Sequence, residues 1–207
     1  MRMRKKKHTA GRLLACGGYM QINDMLESGR PVCLEIGCGK GDFICGTAQK
    51  RPDTNFIAVE RVPDVVVAAA EKSRGLGLPN VRFIVADAKE LANLLPESII
   101  RELYLNFSDP WPKRYHHDKR LTSPGFLEIY KKIMVPDAKL ILKTDNADLF
   151  GYSLKTLPQN GFAIMRETRD LYGGEFLESN IQTEYEKRFV GQGVKICFLE
   201  AAYTAGG

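Results

Sequence analysis

No C-x-x-C pair occurs in these 207 residues, and the cysteines (Cys16, Cys33, Cys38, Cys45 and Cys197) are odd in number. The odd count argues against a disulfide framework, no metal site is expected, and the thiols read as reduced, mostly buried side chains of a cytoplasmic protein. No apolar run is long enough to cross a membrane. The basic start is followed by Leu13-Leu14-Ala15-Cys16, which Gly17-Gly18 cuts short, so no signal-peptide core is expected. Internal repeats and low-complexity linkers are also missing. What remains is a chain of ordinary size for one domain, 44% hydrophobic and 27% charged. We expect residues 1–207 to form a single domain, with 1–12 as a basic arm.

Acids are absent from residues 1–12, which hold Arg2, Arg4, Lys5, Lys6, Lys7 and Arg12. The net charge of +5 therefore sits in this arm, because the other 195 residues carry 24 basic against 25 acidic groups. A second basic concentration runs from Lys113 to Arg120 and includes His116 and His117. Arms and loops of this kind neutralise phosphates and release counterions, which points to nucleic acid. A solvated tail kept for solubility is the bland alternative for the arm.

Apolar runs and helical stretches alternate along the chain. Strands are expected at Val32–Ile36, Asn55–Glu60, Val81–Val85, Ile100–Phe107 and Lys139–Thr144, with closing strands at Phe162–Arg166 and Val194–Ala202. Helices are expected at Asp42–Arg51, Pro63–Arg74, Pro124 to about Met134 with Ser123 as cap, and Ala147 to about Leu157. This pattern predicts an α/β, Rossmann-like doubly wound sheet, mostly parallel, with helices on both faces and an antiparallel strand near the C-terminus. The polar, acidic stretch Leu171 to Glu186 breaks the rhythm.

The fourth strand leads into Asn106-Phe107-Ser108-Asp109-Pro110-Trp111-Pro112-Lys113. Asp109 falls just beyond the strand's carboxyl end, where open α/β sheets bind ligands. Two prolines stiffen the chain around Trp111, the only tryptophan. A second signal is Glu35-Ile36-Gly37-Cys38-Gly39-Lys40-Gly41-Asp42, glycines between a strand and a helix, where a ligand can approach the backbone. Glu35, Glu60, Asp87 and Asp109 stand at four strand ends. Such a row costs repulsion and desolvation in a merely structural design and would repel two phosphates. It suits a cationic ligand with hydroxyls and an amine, such as the sulfonium S-adenosylmethionine. Taken singly, Asp87 or Asp42 also suits a helix cap, and Glu60 suits plain solvated polarity.

Taken together, these motifs resemble the bacterial tRNA (guanine-N7)-methyltransferases, a class I S-adenosylmethionine-dependent family. The resemblance covers nearly the whole chain: the basic start, Glu35 to Gly41, Val59-Glu60, Asp87-Ala88, Leu105 to Lys113, Lys119-Arg120-Leu121-Thr122, Lys143-Thr144-Asp145-Asn146 and Thr183-Glu184-Tyr185-Glu186. It implies that Glu35, Gly37, Gly39, Glu60, Asp87, Ala88 and Asp109 contact the cofactor S-adenosyl-L-methionine. It implies that Lys113, Asp145, Thr183, Glu184, Tyr185 and Glu186 contact the guanosine, that Tyr115, His116, His117, Asp118, Lys119 and Arg120 grip the RNA, and that Asp109 is catalytic. The substrate it implies is guanosine 46 of the tRNA variable loop. Tyr115 and Asp118 depart from the family, which usually has basic residues there, and the segment from Gly11 to Pro31 is short.

Guanine N7 already has an in-plane lone pair, so no general base is required. Catalysis is expected from alignment and from a field that favours the cationic purine. Asp109 and Asp145 are expected to accept from the guanine N1–H and amino edge, although Asp145 also suits a cap for the helix at Ala147. Trp111, Phe107 or Tyr185 offers a stacking face. His116 and His117 suit phosphate contact better than proton transfer. tRNA is the expected partner, no obligate protein partner is evident, and monomer and homodimer both remain open. Two rival readings are a small-molecule or protein methyltransferase and an RNA-binding module that has kept the fold. A nicotinamide dehydrogenase is disfavoured, because nothing after Gly41 supplies the half-site for a second nucleotide.

Overall fold

Two short helices, α1 (Thr9–Ala15) and α2 (Asn23–Glu27), precede the first strand in the computed structural model, which describes residues 9–173 and 180–204. Then follow β1 (Val32–Ile36), α3 (Asp42–Lys50), β2 (Asn55–Glu60), α4 (Pro63–Gly75), β3 (Val81–Val85), α5 (Leu91–Leu94) and β4 (Ile100–Asn106). The rest is α6 (Pro124–Ile133), β5 (Met134–Thr144), α7 (Ala147–Gln159), β6 (Phe162–Thr168), α8 (Glu184–Val190) and β7 (Cys197–Tyr203). The strands form one sheet in the order β3-β2-β1-β4-β5-β7-β6. The first five are parallel, and β7 runs antiparallel between β5 and β6. That is the mixed sheet the sequence predicts.

The alternation of side chains divides the core into two layers. Val32, Leu34 and Ile36 pack with Leu91, Leu127, Tyr130 and Phe150 beneath α5, α6 and α7. Cys33 points the other way and packs with Ile44, Cys45, Phe56, Ala58, Val66 and Ala69 beneath α3 and α4. Burial on both faces explains why the strands carry continuous apolar runs. After β1 the chain winds outward through β2 and β3, then returns to β4 on the other side. The carboxyl ends of β1 and β4 therefore flank the switch point, the crevice where such sheets bind ligands.

Several boundaries differ from expectation. Strand β5 begins at Met134 rather than Lys139, directly after α6, because a bulge takes up Pro136 and Asp137. Ile100 pairs with Met134, the next paired residues are Glu102 and Lys139, and Asp137 sits at φ +60°. Ser123 occupies the cap position of α6, yet its hydroxyl donates to the Asp118 carbonyl (2.9 Å) instead of capping. Residues 9–12 of the expected arm belong to α1, which lies on α4 through Thr9 with Asp64 and Arg12 with Glu71. Residues 1–8 lie outside the described residues.

Candidate active site

The glycine turn between β1 and α3 folds back on β2: the amides of Gly37 and Cys38 both donate to the Val59 carbonyl (2.7 and 3.2 Å). Gly37 and Gly39 hold φ of +76° and +54°, and a Cβ at either would meet nothing within 4 Å. The backbone there faces open space, which suits close approach by a ligand. Gly41 has a packing reason instead. At φ +81° its Cβ would lie 3.0 Å from Ala69 Cβ, so glycine lets α3 and α4 come together. Asp42, a candidate cap in the sequence, begins α3 and pairs with Lys72.

The strand order β3-β2-β1-β4 places Asp87, Glu60, Glu35 and Asp109 in that order along one rim of the sheet. Their surroundings differ. Glu35 is buried within β1; Asn106 Nδ2 donates to its Oε1 (2.9 Å), while Oε2 and the Asn106 Oδ1 have no partner. Burial pushes its carboxyl up to about 7. Glu60 Oε1 accepts from the Val62 amide (3.0 Å). Asp87 accepts from the Lys89 amide (3.0 Å) and caps the short turn Ala88–Glu90, so the capping alternative holds for it; Ala88 is buried beside it. Asp109 is exposed, and its closest cation is Arg61 at 3.7 Å, reaching across from the end of β2. Pattern reading missed Arg61, a base set beside the rim acids.

The loop after β4 is held rigidly. Phe107 and Trp111 both adopt positive φ, +53° and +41°. Arg120, expected on the RNA face, instead lies wholly buried beneath this loop. Its Nε donates to the Pro110 carbonyl (2.8 Å) and one terminal nitrogen to the Trp111 carbonyl (3.3 Å); it also pairs with Asp148 and lies 4.7 Å over the Tyr152 ring. Thr122 adds a buried hydrogen bond to Ser153 (2.8 Å). A buried guanidinium with these partners fixes the Asp109 loop and has no surface to offer a phosphate. Lys113, Tyr115, Asp118 and Lys119 are exposed on the outer turn, and His116 and His117 are half-buried. Aromatic and cationic groups interleave there: His116 packs on Tyr115 (4.3 Å) and edge-on to Trp111 (5.6 Å), and Lys119 lies 4.9 Å over Trp111.

The polar stretch that broke the sequence rhythm supplies the last wall. Thr183 and Glu186 form a capping box at the start of α8. Glu184 and Tyr185 are exposed. Lys40 of the glycine turn donates to Glu184 (2.8 Å), and Tyr185 lies 5.9 Å from the Phe107 ring. Glu186, expected to contact substrate, has no exposed surface and pairs with buried Lys143 (2.6 Å). Asp145 is half-buried at the end of β5, while the cap of α7 is Asn146, whose side chain accepts from the Leu149 amide (2.8 Å). The structure thus brings the glycine turn, the Asp109 loop and the start of α8 around one rim. Lys143 had a signal: a lysine in the apolar run Leu140-Ile141-Leu142-Lys143 of an inner parallel strand requires a buried carboxylate. A cavity of about 400 Å³ on the α3 side is lined by Lys143, Asn180 and Ile181 together with the paired groups Arg51 with Glu102 and Lys139 with Glu200.

Comparison with known proteins follows the same lines. Residues 29–199 match the family described as "Putative methyltransferase". The chain is 38% identical to the tRNA (guanine-N(7)-)-methyltransferase of Geobacillus sp. (strain WCH70), over 98% of this chain and 96% of the relative. It is 42% identical to the enzyme of that name from Brevibacillus brevis, over 83% and 80%. Among solved structures, 16S rRNA methyltransferase KamB superposes with a TM-score of 0.67 at 17% identity, covering 87% of this chain and 92% of that one. A SAM dependent methyltransferase from Aquifex aeolicus gives 0.58 at 15% identity, covering 96% and 100%. At those identities the likeness shows the shared fold alone.

Proposed function

The chain belongs to the tRNA (guanine-N7)-methyltransferase family, and we propose that it transfers a methyl group from S-adenosylmethionine to N7 of a guanosine in tRNA, guanosine 46 of the variable loop. One observation carries this reading: four carboxylates line the rim beside a glycine turn whose backbone faces open space. The residues present fit the donor. Glu35 Oε2 and Asn106 Oδ1 are buried acceptors without donors, which hydroxyls or an amine would satisfy, and Gly37 and Gly39 leave room for it. Glu60, Asp87, Ala88 and Asp109 extend the same rim. When bound, the donor supplies an electrophilic methyl carbon.

The protein's task is alignment. Asp109 and Asp145 accept from the guanine N1–H and amino edge and so aim N7, while Phe107 and Tyr185 provide a stacking face. Lys113, Thr183 and Glu184 complete the guanosine site. The two aspartates also favour the positive charge that methylation leaves on the purine. N7 carries no proton, so no side chain acts as a general base. Exposed Lys113, Tyr115, Lys119 and half-buried His116 and His117 present a mixed cationic and aromatic surface for the RNA. The five free thiols fit a reducing cytoplasm, and among the described residues no helix is long and apolar enough to cross a membrane.

Methylation of unmodified tRNA with tritiated donor tests the assignment. Asp109→Ala is expected to lose about a hundredfold in rate if it organises the guanine. Near-normal activity in a folded variant refutes that role, and absence of 7-methylguanosine in the wild-type product refutes the reaction itself.

A further inference from the structure

We propose that Lys143 is a positioning residue for this reaction: by holding Glu186 it docks the Thr183–Tyr185 turn beside the glycine turn and the Asp109 loop. This rests on the reading of that turn as part of the guanosine site.

Helix α8 is seven residues long, too short to persist on its own. Glu186 is its one fully buried residue, while Phe189 and Val190 are half-buried and Tyr185 is exposed. A carboxylate therefore forms the buried anchor of the helix. Both of its oxygens are fully used. Oε2 accepts from Lys143 Nζ (2.6 Å) and from the Thr183 amide (3.2 Å), and Oε1 from Asn180 Nδ2 (2.6 Å) and the Tyr172 hydroxyl (2.8 Å). Four donors fill a carboxylate's capacity, so Glu186 has none left for a guanine. Lys143 is equally committed. Its ammonium also donates to Asn180 Oδ1 (3.0 Å) and the Ile181 carbonyl (2.9 Å) and lies 4.9 Å over Phe43 of α3.

What this anchor delivers is exposed. Glu184 and Tyr185, immediately before Glu186, reach Lys40 and Phe107 on the two neighbouring walls. Lys143 also pairs in register with Asn106, the partner of Glu35. One buried polar row, Glu35, Asn106, Lys143 and Glu186, thus crosses β1, β4 and β5 and ends at the turn. Removing one member of a buried pair leaves the other charge uncompensated, so the turn should undock rather than relax in place.

Lys143→Met keeps the length of the side chain and removes the charge. In steady-state methylation the variant is expected to raise the KM for tRNA by about tenfold or more, with binding of S-adenosylhomocysteine, measured near pH 9 so that Glu35 is ionised without the pull of Lys143, changed by less than about twofold in calorimetry. Lys143→Arg should recover part of the loss. A purely structural role would lower Tm and the active fraction and leave both KM values alone, and that result overturns the proposal. Should Lys143→Met not fold, Tyr172→Phe and Asn180→Ala remove donors to Glu186 from outside the sheet. Each is expected to raise the tRNA KM about threefold, and an unchanged KM in both overturns the proposal. Tyr185→Ala separates the two readings. If it leaves the tRNA KM unchanged, the guanosine-site reading fails; if it raises the KM while Lys143→Met does not, only the positioning role fails.

Discussion

Replacing Glu35 by glutamine should stabilise the ligand-free protein in mild alkali and weaken its hold on the methyl donor. Glu35 retains 2% of its surface, accepts one hydrogen bond from Asn106 and leaves its second oxygen unpaired. Burial raises its carboxyl from an ordinary value of 4.5 to about 7, against the opposing pull of Asn106 and Lys143. The folded protein therefore keeps a proton that the unfolded chain releases. The stability contributed by that proton is fully present below 4.5 and is lost as pH rises through about 7. Above that pH the cost is roughly 3 kcal/mol. Glutamine is neutral throughout, and its amide can donate to the unpartnered Asn106 Oδ1. The variant should match wild type near pH 5 and exceed it by roughly 5–10 °C in Tm near pH 8.5. Donor binding should move the other way. The wild type must release the proton before the ionised acid can accept from the ligand, so affinity falls by up to about tenfold per pH unit below neutrality. The variant should bind weakly, with a flat profile. Calorimetric melting and S-adenosylhomocysteine titrations across pH test both. A variant no more stable than wild type in alkali, or a wild-type affinity indifferent to pH, refutes the reasoning.

Arg120→Met should cost roughly 2–4 kcal/mol in chemical denaturation, because two loop carbonyls lose their donor while Asp148 returns to water. The slope of log affinity for tRNA against log salt should stay unchanged in this variant, whereas Lys119→Ala should flatten it by about one phosphate contact; equal slopes for both would put Arg120 back on the RNA face. Gly41→Ala forces a side chain into φ +81° against Ala69 and should lower stability by roughly 1–3 kcal/mol, read as a drop in Tm. Deleting residues 1–7 should flatten the salt dependence of tRNA binding and leave donor affinity intact; an unaltered slope removes the arm from the interface.

Local features were legible in the chain. Unbroken apolar runs marked the inner strands, glycines marked the turn after β1, and acids at strand ends marked the rim, since each depends on a few neighbouring residues. The limits of β5 were not legible, because Pro136 suggested a loop and only pairing with β4 turns it into a bulge. Arg120 sat in a basic cluster and read as a phosphate ligand. Its burial depends on Asp148 and Tyr152, 28 and 32 positions away, which no local pattern connects to it. Glu186 failed in the same way: a polar stretch looks solvated until Lys143, 43 positions earlier, is brought against it. Short-range pattern specifies elements and turns, whereas buried charges declare themselves only through tertiary partners.

Trp111 is the chain's only indole, and it stands in the stiffened loop at the rim, with a lysine over its face and a histidine at its edge. Red-edge excited emission from the whole protein therefore originates at a single point beside the site. A change in intensity on mixing with RNA or nucleoside would report that loop without any label.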